Sequence, residues 1–188
     1  CIDLKKMNPD LDNNYVKVNK YYETSIEGLY AIGDLVGPPY LAHLASKQGT
    51  IAVEHIFGLK PHAIDLNQLA SCIYTDPEIA SVGFTEEEAK SHYGKIRVGN
   101  FPFSALGRSI ANSKTDGFVK VIFDQKYDEL LGCHVIGDNA SNIITQVVTA
   151  MALESTHLNL INAIHPHPTL SEAIQEAVAS AYNESIHI

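Results

Sequence analysis

Apolar positions recur at two different periods along this 188-residue chain, and the changes of period divide it into elements. Leu170, Ala173, Ile174, Ala177, Val178, Ala181 and Tyr182 hold the i, i+3, i+4, i+7 spacing of a helix that buries one face. Ile143, Ile144, Val147, Val148 and Met151 form a second stripe of that kind. Between residues 70 and 136 the texture is that of strands. Residues 72–74 and 79–82 are short apolar runs joined by Thr75-Asp76-Pro77-Glu78, a turn signal. Residues 96–100 return as a strand, and residues 118–123 and 130–136 form a hairpin across a polar turn at 124–129. Thr85-Glu86-Glu87-Glu88 is a capping box that opens a helix stopping at Gly94, and residues 101–114 are expected to be irregular. Strands followed by helices predict an α+β fold, an antiparallel sheet covered by helices.

The first third is less self-sufficient. Tyr15-Val16-Lys17-Val18 fits an edge strand, but no domain closes around it. Residues 29–32 predict a short strand running into Gly33-Asp34. After a Gly-Pro-Pro loop, a helix is expected from Leu41 to about Phe57, with Gly58 and Pro61 as its stop signals. No internal repeat or low-complexity segment is present.

Composition narrows the function classes. The chain is 45% apolar and 19% charged, ordinary for a globular protein with one good core and room for a second small lobe. Its net charge of −9 argues against nucleic acid or an anionic membrane as a partner. No apolar run approaches the roughly 18 residues of a bilayer span. Cys1, Cys72 and Cys133 are odd in number and far apart, which predicts reduced thiols and a cytoplasmic location.

The richest chemistry lies in His165-Pro166-His167-Pro168-Thr169-Leu170-Ser171-Glu172-Ala173. Each proline fixes its own φ and pushes the residue before it out of the helical region, so both imidazoles are presented from a turn ahead of a helix. Three readings share these residues. Thr169 and Glu172 fit a capping box; a histidine with a carboxylate nearby fits acid/base catalysis; His-x-His fits half of a zinc site. Gly33-Asp34 reads either as a ligand-facing strand end or as a plain turn. His43 alone reads as an ordinary surface histidine.

HPHPTLSEA resembles the C-terminal signature of the dihydrolipoamide dehydrogenase family of flavoprotein disulfide reductases. The resemblance implies that His167 is the acid/base and that Glu172 orients it. Tyr-Ala-Ile-Gly-Asp at 30–34 resembles the family's second flavin-binding motif, which implies that Asp34, after Gly33, accepts a hydrogen bond from the ribityl chain. Tyr40, Leu41, Ala42 and His43 then align with the flavin pocket at the start of the following helix. The match departs from the usual pattern at Tyr40, commonly methionine, and at Leu44, commonly lysine. YTDPEIASVGFTEEEA and FPFSALGRSIANSKTDGFVKV extend the similarity over essentially the whole chain.

The same resemblance implies a domain layout and partners. Residues 1–62 would be a remnant of the NAD/FAD-binding region and residues 63–188 an interface, or dimerisation, domain. The parent enzyme would use FAD and NAD, form a homodimer, and serve lipoyl groups of 2-oxoacid dehydrogenase complexes. Its His–Glu pair would come from one subunit and its redox cysteines from the other. The present chain contains no Gly-x-Gly and no cysteine pair, so it is expected to be a C-terminal fragment, inactive and without bound cofactor by itself. Glutathione reductase shares the His-Pro-x-x-x-Glu ending and is the rival enzyme. A dimerisation module that catalyses nothing is the rival of another class.

Overall fold

A five-stranded antiparallel sheet carries the larger part of the protein. The computed structural model describes residues 4–187. Cys1, one of the three thiols, and Ile188 lie outside the described residues. Two compact units divide at Leu66/Asn67, against an expected boundary after His62.

The first unit begins with a single helical turn, α1 (Leu4–Met7), and a two-stranded ribbon in which β1 (Leu11–Asp12) pairs with β2 (Tyr15–Val16). The strand expected at residues 29–32 is reduced to one bridge, Glu23 to Tyr30, and a 3-10 turn follows at Gly33–Val36. An apolar run becomes a strand only where a neighbour supplies a ladder, and among the described residues Glu23 is the one bridge partner it finds. Helix α2 (Ala42–Ile56) forms as expected. It ends in a Schellman arrangement: the Leu59 amide donates to the Glu54 carbonyl and the Gly58 amide to the His55 carbonyl, with Gly58 at φ +80°.

In the second unit β3 (Ser71–Ile73) and β4 (Glu78–Gly83) form one hairpin. Helix α3 (Glu86–Tyr93) then starts at the full capping box of Thr85 and Glu88. Strand β5 (Ile96–Pro102) pairs with β6 (Phe118–Asp124), and β6 with β7 (Leu130–Gly137). Asp124 accepts from the Lys126 and Tyr127 amides, which closes the hairpin turn. The non-local pairing of β4 with β7 joins the two hairpins into one sheet.

Most of the segment expected to be irregular, residues 101–111 of 101–114, is regular. Strand β5 continues to Pro102, a 3-10 turn spans Phe103–Ala105, and α4 (Gly107–Ala111) follows. Phe101, Phe103 and Leu106 are buried in the main core, and this anchoring, which no local periodicity announces, orders the segment. Helices α5 (Ala140–Ala152), α6 (His157–Ile161) and α7 (Glu172–Ala181) complete the unit. The short α6 was not expected, although Thr156 and Asn159 form a capping box at its start.

One sheet face carries Val119, Val121, Phe123, Cys133 and Val135 beneath the apolar stripes of α5 and α7. On the other face Ala89 of α3 covers Ile122 and Leu131. A register shift at Ile122/Phe123 pairs Ile122 with Gly132 and Phe123 with Leu130, leaving Leu131 as the extra residue. The bulge changes the phase of β7, so that Leu130 joins the main core while Leu131 meets α3.

Candidate active site

Helix α7 lies unusually close to the sheet. A Cβ at Gly99 on β5 would fall inside contact with the Ala177 carbonyl oxygen, and Ala173, Ala177 and Ala181 are all fully or nearly fully buried. This close seating fixes where the helix begins, and therefore where the Glu172 carboxylate points. Ser171 is the N-cap residue but makes no side-chain cap. Glu172 Oε2 instead accepts from the Thr169 amide at 2.7 Å, and Oε1 accepts from His167 Nδ1 at 2.8 Å. Half of the expected capping box is therefore present. The other half is not, because the Thr169 hydroxyl donates to the Pro166 carbonyl at 2.8 Å.

The turn is held from two further directions. His165 Nδ1 donates to the Ala163 carbonyl at 3.0 Å, and its Nε2 accepts from the Gln146 side chain on α5 at 2.6 Å. The Gln175 side-chain Nε2 donates to the carbonyls of Ile161 and Ala163. With both ring nitrogens engaged, His165 is a structural residue. Among the described residues no group of three His, Cys, Asp or Glu side chains is arranged to hold a metal ion.

Electrostatics favour an ionised Glu172. Burial alone would raise its carboxyl, but the hydrogen bonds from the Thr169 amide and His167, with the nearby imidazoles, outweigh that and hold it below the usual carboxylate range. The His167 side chain is 74% exposed against 19% for Glu172. With Nδ1 bound to the carboxylate, Nε2 is the nitrogen available to exchange a proton.

The imidazole opens onto a cleft of about 490 Å³ within the second unit. Its walls include Leu106, Ile110, Glu176, Ile186 and His187 beside the His167–Glu172 pair. Gly107 opens α4 so near the ring that a Cβ there would stand 3.9 Å from His167 Cε1. Periodicity missed this wall, since residues 101–114 carry no repeating pattern. It also missed Glu176, an acidic residue on the buried side of an apolar helix.

The flavin candidates all lie in the first unit. The Gly33 amide donates to Gln48 Oε1 of α2 at 2.7 Å, and the exposed Asp34 follows it in the 3-10 turn. Leu41 is the N-cap of α2, and its aliphatic side chain makes no cap. Tyr40 is exposed, and its hydroxyl is bonded to that of Tyr15. A carboxylate acceptor on a turn packed against an uncapped helix start fits a polar ligand bearing hydroxyl and carbonyl groups, as a flavin does. The described residues include no glycine-rich dinucleotide loop for NAD.

The chain is similar to known proteins over most of its length. Residues 69–178 match the model of the pyridine nucleotide-disulphide oxidoreductase dimerisation domain. The chain is 44% identical to the dihydrolipoyl dehydrogenase of Bacillus subtilis over 176 residues, covering 94% of this chain and 37% of that protein. It is 42% identical to the Zymomonas mobilis enzyme, covering 99% of this chain and 40% of the relative. The chain thus spans about two-fifths or less of these relatives' length. The crystal structure of LpdA from Mycobacterium tuberculosis superposes with a TM-score of 0.87 at 30% identity, covering 93% of this chain and 38% of that one. The hypochlorous-acid-induced flavoprotein disulfide reductase RclA of Escherichia coli shares the fold, with a TM-score of 0.87 at 22% identity over 94% of this chain and 41% of its own. The antiparallel sheet covered by helices is the disulfide-reductase dimerisation fold, and the chain belongs to the pyridine nucleotide-disulphide oxidoreductase family through that domain.

Proposed function

We propose that this chain is the C-terminal part of a dihydrolipoyl dehydrogenase and supplies its acid/base pair and its dimer interface. The observation that carries this reading is the 2.8 Å bond between His167 Nδ1 and Glu172 Oε1 at the edge of an open cleft. The high identity to dihydrolipoyl dehydrogenases supports the choice of substrate over glutathione.

The attacking form of a thiol is the thiolate, and a free thiol loses its proton only near pH 8.5. In this reading His167 Nε2 accepts that proton from dihydrolipoamide. Glu172 holds the ring in the tautomer that leaves Nε2 as acceptor and stabilises the imidazolium that forms. The Thr169 amide keeps the carboxylate pointed at the ring. The redox cysteines come from the partner subunit of a homodimer. Ile164, 98% exposed on the same turn, fits burial at such an interface.

Residues 1–62 belong, in this reading, to a dinucleotide-binding region whose remaining strands would cover its exposed apolar side chains. Leu35, Val53, Ile56 and Phe57 are each about half exposed or more. Gly33, Asp34, Tyr40, Leu41, Ala42 and His43 would line the FAD site. When bound, FAD supplies the two-electron carrier between the cysteines and NAD. Lipoyl groups of 2-oxoacid dehydrogenase complexes are the partners, in the cytoplasm.

In the full-length flavoprotein, His167→Gln should lower NAD-linked oxidation of dihydrolipoamide by about 10²–10⁴-fold while bound flavin is retained. Turnover within about tenfold of the parent would refute the assignment. A full-length protein that bound neither flavin nor dihydrolipoamide would instead favour a module that only dimerises.

A further inference from the structure

The cleft beside His167 holds a second carboxylate–imidazole pair. Glu176 lies one helical turn beyond Glu172 on α7, so one face of the helix presents both carboxylates. Unlike Glu172, it is buried, at 8% exposure. Its two oxygens are occupied by the C-terminal segment: Ser185 Oγ donates to Oε2 at 2.9 Å and His187 Nδ1 donates to Oε1 at 2.6 Å. Segment and carboxylate therefore support each other, since a buried carboxylate without donors is strongly disfavoured.

The held segment forms part of the cleft. Glu184, Ile186 and His187 line it together with His167, Glu172 and Leu106. Ile186 is 82% exposed, an apolar side chain kept at the rim by bonds on either side of it.

We propose that Glu176 is a positioning residue for substrate: through Ser185 and His187 it holds residues 183–187 as one wall of the cleft, and that wall seats an aliphatic dithiol beside His167. The proposal rests on the reading of His167 as the base. It assigns Glu176 no part in proton transfer. The apolar lining at Ile186 and Leu106 matches a hydrocarbon chain, and His167 in the same lining matches the thiols at its end.

The test is steady-state kinetics of the full-length flavoprotein with dihydrolipoamide. Glu176→Gln keeps the shape but gives up one acceptor oxygen and the charge. It should raise KM about fivefold or more with kcat within about twofold, and leave the pH profile of kcat in place. Ser185→Ala removes one of the two bonds and should shift KM the same way by less, and it carries the test if Glu176→Gln does not fold. Unchanged KM in the folded variants overturns the proposal. So does a fall in kcat at constant KM, or a moved pH profile, either of which would put Glu176 in the chemistry. Failure of the underlying reading looks different: His167→Gln would then retain full turnover whatever the Glu176 variants do.

Discussion

Glu172 serves two partners with two oxygens, and its protonation is the most direct handle on the site. Burial opposes its ionisation, while the Thr169 amide and His167 favour it more strongly, so its folded pKa is depressed. As pH falls, the unfolded chain takes up this proton first. The contribution to stability is therefore complete above the usual carboxyl pKa of about 4.3 and is lost as acidification passes through the lower folded value. Glu172→Gln should flatten the fall of the melting temperature below about pH 4.3, read by calorimetry between acid and neutral pH. An unchanged acid slope would show that the pair contributes nothing to folding. At this scale much of the site is legible in the chain, because His167, Thr169 and Glu172 are near neighbours and local geometry can join them. Glu176 with Ser185 and His187 was not legible, since its meaning depends on where the segment after the helix returns.

Gly99 decides the seating of α7. Small residues every fourth position, Ala173, Ala177 and Ala181, allow the helix to approach β5 until its backbone meets the Gly99 Cα. Gly99→Ala should force the helix outward and destabilise the second unit by about 1–3 kcal/mol, seen as a lower urea midpoint. A neutral effect would mean that the helix can shift without penalty. Helices α2, α3, α5 and α7 and the hairpins were predictable because each repeats its period or carries its own cap. Residues 101–114 were not, because burial of Phe101, Phe103 and Leu106 rather than periodicity orders them. The start of α5 is similar: Glu78 on β4 accepts from the Ser141 amide and hydroxyl at 2.9 and 2.7 Å, and no local residue announces that cap. The strand expected at 29–32 failed for the converse reason, an apolar run with one bridging neighbour among the described residues.

For the molecule as a whole, the two units differ in what holds them. The first has a small described core of Val16, Ala31, Leu44, Ile51 and Ala52. The second buries both helical stripes and the inner face of a five-stranded sheet. Amide exchange of the isolated chain should therefore be faster across the first unit than in α5 and α7, because local opening there exposes less apolar surface. Equal protection in both would show that the first unit is stabilised by something other than its core.

Periodicity and caps, read from the chain alone, determined the α+β class, the main helices and the hairpins, because those signals are local and each residue's neighbours in sequence are its neighbours in space. The tertiary structure alone decided the β4–β7 pairing, the ordering of residues 101–114, the close seating of α7 on Gly99, and the return of the C-terminal segment to Glu176. Each of these joins residues distant along the chain, whose contact is settled by packing rather than by pattern.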